Sequence, residues 1–333
     1  MTRIKVSNLI VGAVGAVAVL AVAACGGVSD AAGQGSRLTL VAYSTPREVY
    51  GELAKDFAKT AAGKGVDFDE SYGASGEQSR AVEQGLPADY VAFSLAPDME
   101  RLVEAGLVDE GWDADDKGMV SNSVVVFAVR KGNPKALRTW ADLVKDGVEV
   151  IEPNPFTSGG ARWNVMAAYG AQRKLGKTHE QAVEYLRELF THVSVQDKSA
   201  RESLQTFAGG KGDVLLAYEN EAILARRKGE NLDYVVPDQT ILIENPAAVT
   251  KDAPEQAKAF LDYVRSEPGQ RAFAKAGYRP VVDGLDDEFQ FAVPPALFTI
   301  DDVGGWDEVQ ETFFDREDGI MAGIQREVGA GVE

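Results

Sequence analysis

The 333-residue chain has one cysteine, Cys25, and two histidines, His179 and His192. A single thiol excludes an internal disulfide and any cysteine-based metal site. Two imidazoles leave little for a hydrolytic triad, and both fall where helix and strand ends are expected. Basic residues are also scarce: 34 Lys and Arg stand against 52 Asp and Glu, for a formal charge of −18. Nothing so acidic is built to hold nucleic acid by neutralising phosphates. The same field repels small anions, so an anion site in this chain has to work through local dipoles and not through a basic patch. What is present in quantity is ordinary: 45% hydrophobic and 26% charged residues, the proportions of a globular protein.

The first residues differ from the rest. Arg3 and Lys5 precede an uncharged stretch from Val6 to Ser29, and Leu9 to Ala24 is apolar or glycine throughout. Cys25 follows Val22-Ala23-Ala24. A positive start, an apolar run and small residues before a cut site predict a secretory signal peptide over residues 1–24. The cysteine after the small pair makes the signal lipobox-like, with Cys25 as the lipidated first residue of the mature protein. The alternative is an uncleaved membrane anchor, since the run is nearly long enough to span a bilayer. Loss of Arg3 and Lys5 takes the charge from −18 to −20. Residues 25–36 have the composition of a tether.

From there strands alternate with helices. Arg37–Tyr43, Val66–Tyr72 and Asp89–Phe93 read as strands, with helices expected from Thr45-Pro46, from near Ser75 and from Pro97. Ser123–Arg130 (SVVVFAVR) is long and β-branched, a candidate crossing strand. A second series follows: helix Thr139–Lys145, strand Val148–Ile151, a helix after Ser158, helix Glu180–Thr191, strand Val193–Gln196, a short helix at Ser199–Arg201, strand Asp213–Tyr218 and helix Glu219–Arg227. Tyr234–Val236 and Ile241–Ile243 return the chain, and the tail is helical over Ala253–Ser266, Glu267–Ala276 and Trp306–Phe314. This is α/β construction with mostly parallel sheets. The chain is longer than one core usually serves, which predicts two lobes facing across a cleft. Lobe I takes residues 37–122 and 245–333, and lobe II residues 123–244.

Four strand-to-helix turns share one chemistry, a small or hydroxyl residue at a helix start: Tyr43-Ser44-Thr45-Pro46, Gly73-Ala74-Ser75-Gly76, Thr157-Ser158-Gly159-Gly160 and Lys198-Ser199-Ala200-Arg201. Each offers free N–H groups and a partial positive charge of about half a unit. Any one of them is an ordinary cap. Recurring in both series, they can together replace the hydration of a small dianion. Enzymatic motifs fail: Gly73-Ala74-Ser75-Gly76-Glu77 lacks the fifth glycine of a nucleophile elbow, and Gly209–Asp213 lacks P-loop spacing. Asp113–Val124 departs from a calcium loop at its fifth and twelfth positions. The chain calls for no catalytic residue, cofactor or metal.

Asn154-Pro155-Phe156-Thr157-Ser158-Gly159-Gly160-Ala161-Arg162-Trp163 resembles the NPK-[ST]-SG-x-AR signature of bacterial sulfate-binding proteins, the solute receptors of sulfate/thiosulfate ABC importers. Tyr43–Tyr50, Ser71–Gln78, Val129–Pro134, Gly212–Ala222, Tyr278-Arg279-Pro280 and Leu297–Trp306 resemble further blocks of that family, so the likeness covers about residues 38–315. It implies a two-lobed periplasmic-binding-protein fold of type II, each lobe a mostly parallel sheet flanked by helices. It also implies a sulfate held by the N–H groups of Ser44, Ser75, Gly159, Gly160 and Ala200 and the hydroxyl of Ser158. The family's seventh donor is a tryptophan indole. The matching residue here is Tyr218, which leaves a molybdate or tungstate receptor as the alternative within the class; a surface sulfate- or phosphate-ester hydrolase is the alternative outside it. Phe156 replaces the signature lysine. The resemblance further implies a monomeric receptor on the outer face of the membrane or in the periplasm, touching the membrane through its lipid anchor only. Its partners would be an ABC permease and ATPase.

Overall fold

The computed structural model describes residues 36–332. The leader, Cys25 and the tether as far as residue 35 lie outside them.

The chain begins with β1 (Arg37–Tyr43), α1 (Arg47–Phe57), β2 (Asp67–Gly73), α2 (Ser75–Glu83), β3 (Tyr90–Ala92) and α3 (Ala96–Glu104). β1 pairs in parallel with β2 on one side and β3 on the other. The long β4 (Met119–Arg130) follows, then β5 (Val150–Ile151), α4 (Gly159–Lys174), α5 (His179–Thr191), β6 (Val193–Val195), α6 (Ala200–Ala208), β7 (Val214–Tyr218) and α7 (Glu219–Arg227). β5 lies in parallel between β6 and β7. After β8 (Leu232–Val235) and β9 (Gln239–Val249) come α8 (Glu255–Arg265), α9 (Glu267–Ala276), α10 (Asp286–Phe289), β10 (Ala296–Phe298), α11 (Gly305–Phe314) and α12 (Ile320–Glu327).

The strand order β2-β1-β3-β9-β4-β7-β5-β6 places one parallel trio at each end of an antiparallel middle pair. β4 pairs with β9 through Val124 and with β7 from Val125 onward, so it serves both ends. Its sequence explains this. Val124 to Val129 are all buried, and alternate side chains enter different cores: Val125, Phe127 and Val129 pack with Trp140 and Trp163, whereas Val124, Val126 and Ala128 pack with Phe207 and Leu215. A β-branched strand covered on both faces is what such a run specifies.

Three details differ from the sequence reading. Where a helix is expected over Thr139–Lys145, only a turn at Trp140–Asp142 forms. Asp142 Oδ2 accepts from the N–H of Arg138 and Thr139 at 2.9 and 2.8 Å, and Gly147 at φ 74° turns the chain into β5 before a second helical turn can add. α1 starts at Arg47 with Pro46 as its cap; the expected cap, Thr45, instead pairs its Oγ1 with Tyr278 Oη at 3.2 Å. β9 runs on to Val249 through Glu244-Asn245-Pro246, where proline and polar residues hide the strand pattern. Pro246 sits at a register shift opposite Met119, and its carbonyl accepts from Phe93 N–H at 3.0 Å.

Phe260 of α8 and Phe273 of α9 join Leu38, Leu40 and Tyr50 in one core. Val309, Phe313, Met321 and Ile324, from the last two helices, share a core with Trp163 and Leu186.

Candidate functional site

The Asn154 turn is built by its own side chains. Asn154 Oδ1 accepts from Phe156 N–H at 2.8 Å, and its carbonyl accepts from Ser158 N–H at 2.9 Å. Arg162 Nε reaches back to the Pro155 carbonyl at 2.8 Å, while Arg162 Nη1 donates to Gln310 at 2.6 Å, so the guanidinium braces the turn. Phe156 is buried in the core beneath. Ser158 caps α4, its Oγ accepting from Ala161 N–H at 3.3 Å, which leaves the hydroxyl proton unspent. The glycines answer to close approach. A Cβ on Gly159 would lie 2.7 Å from both Cβ and Oγ of Ser94, and one on Gly160 would lie 3.2 Å from the Ala200 Cβ.

The other turns are held as firmly. Ser75 Oγ donates to Asp98 Oδ2 at 2.6 Å and accepts from Ser94 N–H at 2.9 Å, fixing the start of α2. Ser199 caps α6, its Oγ accepting from Glu202 N–H at 3.3 Å. Thr157 Oγ1 donates to the Lys198 carbonyl at 2.7 Å and ties the α4 and α6 turns together.

These turns meet. Ser44, Ser75, Ser158, Gly159, Gly160, Ala200 and Tyr218, all seven residues picked out in the sequence, line one small cavity. Its free volume, about 10 Å³, leaves no room for an organic solute. Among the described residues, the N–H groups of Ser44, Ser75, Gly159, Gly160 and Ala200 have no protein acceptor. Helices α2, α4 and α6 therefore aim unsatisfied N-terminal donors at one point. No lysine, arginine, aspartate or glutamate lines the cavity. The nearby acids are engaged elsewhere: Asp98 by Ser75 and Arg101, Glu219 by Arg279 at 2.8 Å, and Glu221 by Arg201 at 2.8 Å.

Tyr218 is fully buried, and its Oη lies 2.6 Å from Ser94 Oγ. Burial pushes the phenol well above its usual range, so it stays protonated and can donate. Ser94 also lines the cavity and was not singled out in the sequence. The signal was there: Phe93-Ser94-Leu95-Ala96-Pro97 is a fifth strand-to-helix turn with a hydroxyl residue. Neither histidine lines the cavity. His179 Nδ1 pairs with Tyr169 Oη at 2.9 Å, and His192 Nδ1 lies 3.1 Å from the Val148 carbonyl.

The family model described as bacterial extracellular solute-binding protein matches residues 38–279. The chain is 40% identical to the sulfate-binding protein of Synechococcus elongatus over 89% of its own length and 90% of that protein's. It belongs to the sulfate-binding protein family. Similarity extends to the thiosulfate-binding protein of Pseudomonas aeruginosa, at 36% identity over 87% of this chain and 92% of the relative. Among solved structures, the sulfate-binding protein SubI from Mycobacterium tuberculosis H37Rv superposes with a TM-score of 0.82 at 43% identity, covering 84% of this chain and all of that one. This solute-binding protein thus has the two-lobed type II periplasmic-binding-protein fold, with the cavity beside the β4–β9 crossing pair.

Proposed function

We propose that the chain is an extracytoplasmic receptor that captures sulfate between its lobes and delivers it to an ABC permease and its ATPase. The observation that carries this reading is the donor-only wall. Five free main-chain N–H groups, the Ser158 hydroxyl and the Tyr218 phenol face a cavity of ionic size that has no acidic or basic side chain. Sulfate at neutral pH has no proton, so such a wall satisfies all of its oxygens. Hydrogen phosphate brings a donor that needs an acceptor, and leaving it unpaired costs about 1–3 kcal/mol. The named relatives that bind sulfate or thiosulfate support the same class of ligand. The site needs no metal, cofactor or catalytic base.

The lobes of this reading are residues 37–122 with 245–333 and residues 123–244; the packing of Val309, Phe313, Met321 and Ile324 beside Trp163 and Leu186 supports counting the last helices with the second lobe instead. Cys25 carries the lipid that holds the monomer at the outer face of the membrane, on the strength of the leader that precedes it.

A second reading rests on Tyr218, a phenol donor at the cavity wall where the resembled family has an indole: a molybdate or tungstate receptor of the same fold. Titration calorimetry of refolded, extensively dialysed protein with sulfate, thiosulfate, molybdate and phosphate separates them. Sulfate is expected to bind tightest; tightest binding of molybdate installs the second reading, and tightest binding of phosphate removes the donor-only argument altogether.

A further inference from the structure

Ser94 is bonded to four of the elements around the cavity, α2, α4, β7 and β9. Its N–H donates to Ser75 Oγ at 2.9 Å, at the start of α2. Its carbonyl accepts from Trp163 Nε1 of α4 at 2.7 Å and from Asn245 Nδ2 of β9 at 2.9 Å. Its Cβ and Oγ, with the Cδ2 of Leu95, leave Gly159 no room for a side chain. Its hydroxyl lies 2.6 Å from the phenol of Tyr218, at the end of β7. β3 and β7 stand on opposite sides of the β9–β4 pair, so this hydroxyl pair joins the two halves of the sheet.

A proton count gives the pair a direction. The two hydroxyls carry two protons, and the bond between them uses one. The Asn245 side chain also acts on the phenol as a donor, and no described group other than the pair itself accepts from either hydroxyl, so one proton remains for the cavity. The phenol is the stronger donor of the two, and a dianion is the strongest acceptor that could face it. A phenol oxygen that accepts from Ser94 is also polarised to donate more strongly.

The geometry points to Ser94 as a positioning residue for the oxyanion: it donates to the Tyr218 oxygen and so commits the Tyr218 proton to the ligand. This rests on the reading of the cavity as an oxyanion site. It adds that Tyr218 is a ligand-directed donor only when the half of the sheet bearing Ser94 meets the half bearing Tyr218.

The test is a double-mutant cycle of Ser94→Ala and Tyr218→Phe in the mature chain. It is titrated with whichever of sulfate, thiosulfate or molybdate the unaltered protein binds tightest. Losing a neutral hydrogen bond behind the donor should weaken binding about three- to tenfold in Ser94→Ala, and losing the charge-assisted bond itself more than tenfold in Tyr218→Phe. The double variant should be no weaker than Tyr218→Phe alone. Losses that multiply, a larger loss from Ser94→Ala than from Tyr218→Phe, or an unchanged Ser94→Ala would each overturn the assignment. Ser94→Ala keeps the main-chain bonds to Trp163 and Asn245, so a retained ligand-induced tryptophan fluorescence change and an unaltered melting temperature separate lost positioning from lost fold. Tightest binding of molybdate would remove the sulfate reading and leave this cycle intact. Binding of none of the three would overturn both.

Discussion

Arg201 and Glu48 form a two-pronged clasp across the site: Nη1 lies 2.9 Å from one carboxylate oxygen of Glu48 and Nη2 lies 2.9 Å from the other. The same guanidinium donates to the Thr45 carbonyl at 2.8 Å and to both oxygens of Glu221 at 2.8 and 2.9 Å. Arg201 follows Ala200 in α6 and Glu48 lies in the first turn of α1, so the clasp joins two of the helices whose starts wall the cavity. The charges balance outside the cavity, and only dipoles are left inside it.

Arg201→Met strands Glu221, a buried carboxylate, without its partner. Loss of one member of a buried pair costs about 3–5 kcal/mol, so the melting temperature should fall steeply. Glu48 is about one-third exposed, and Glu48→Gln should cost only about 1 kcal/mol while weakening the anion's hold. Thermal melts and titrations of the two variants, side by side, check the contrast.

The clasp also has a pH signature. Burial alone would raise the Glu48 carboxyl, but hydrogen bonds from Arg201 and Lys228 outweigh it and hold it at about 2, below the usual 4.5. A carboxylate whose pKa falls on folding stabilises the folded form above its unfolded value, and that contribution disappears as the pH falls through the folded one. Stability and affinity should therefore lose this contribution only between 4.5 and about 2. In Glu48→Gln the acid limb of the melting profile should be shallower over that window.

Ser158→Ala removes a hydroxyl whose proton is free for the ligand. Binding should weaken by about 1.5–3 kcal/mol, the value of a hydrogen bond to a charged group. Loss of the cap to Ala161 N–H should cost stability about 1 kcal/mol besides. Calorimetry and melting read the two effects separately; an undiminished affinity would place Ser158 outside the ligand's reach.

Gly159→Ala tests the close approach of the two halves. The added Cβ would lie 2.7 Å from the Ser94 Cβ, and Ser94 is anchored through its main chain on both sides. Overpacking of this kind costs about 1–3 kcal/mol, here expected as lost affinity because the two halves can no longer meet. Gly51→Ala, with nothing within 4 Å of the new atom, is the control and should bind as before.

The parts of the site that could be read from the sequence are those whose chemistry is local. Asn154-Pro155, the Ser158 cap and the glycine pair mark a helix start with free donors, as do the turns at Ser75 and Ala200, and their recurrence with the family resemblance points to an anion. Ser94 sits in a turn of the same kind, but what sets it apart is tertiary: β3 is three residues long, and Ser94 acquires its partners from α2, α4, β7 and β9. The fold divides in the same way. The β-branched run of β4 announces a strand covered on both faces, whereas β9 is legible only at Ile241–Ile243, and its continuation across Pro246 shows only in its pairing with β3 and β4. The turn at Trp140 looked helical because its capping residues are those of a helix, and it stops because Asp142 takes the donors and Gly147 reverses the chain.

The cavity of about 10 Å³ has a kinetic meaning. Where Gly159 and Gly160 form its wall there is no side chain to swing aside and let an ion pass. Opening the cavity would part several contacts between its walls, among them Trp163 with the Ser94 carbonyl, Tyr218 with the Ser94 hydroxyl and Arg201 with Glu48. An escape rate set by parting those contacts would depend little on which ion is inside, and a partner that parts them would control the moment of release.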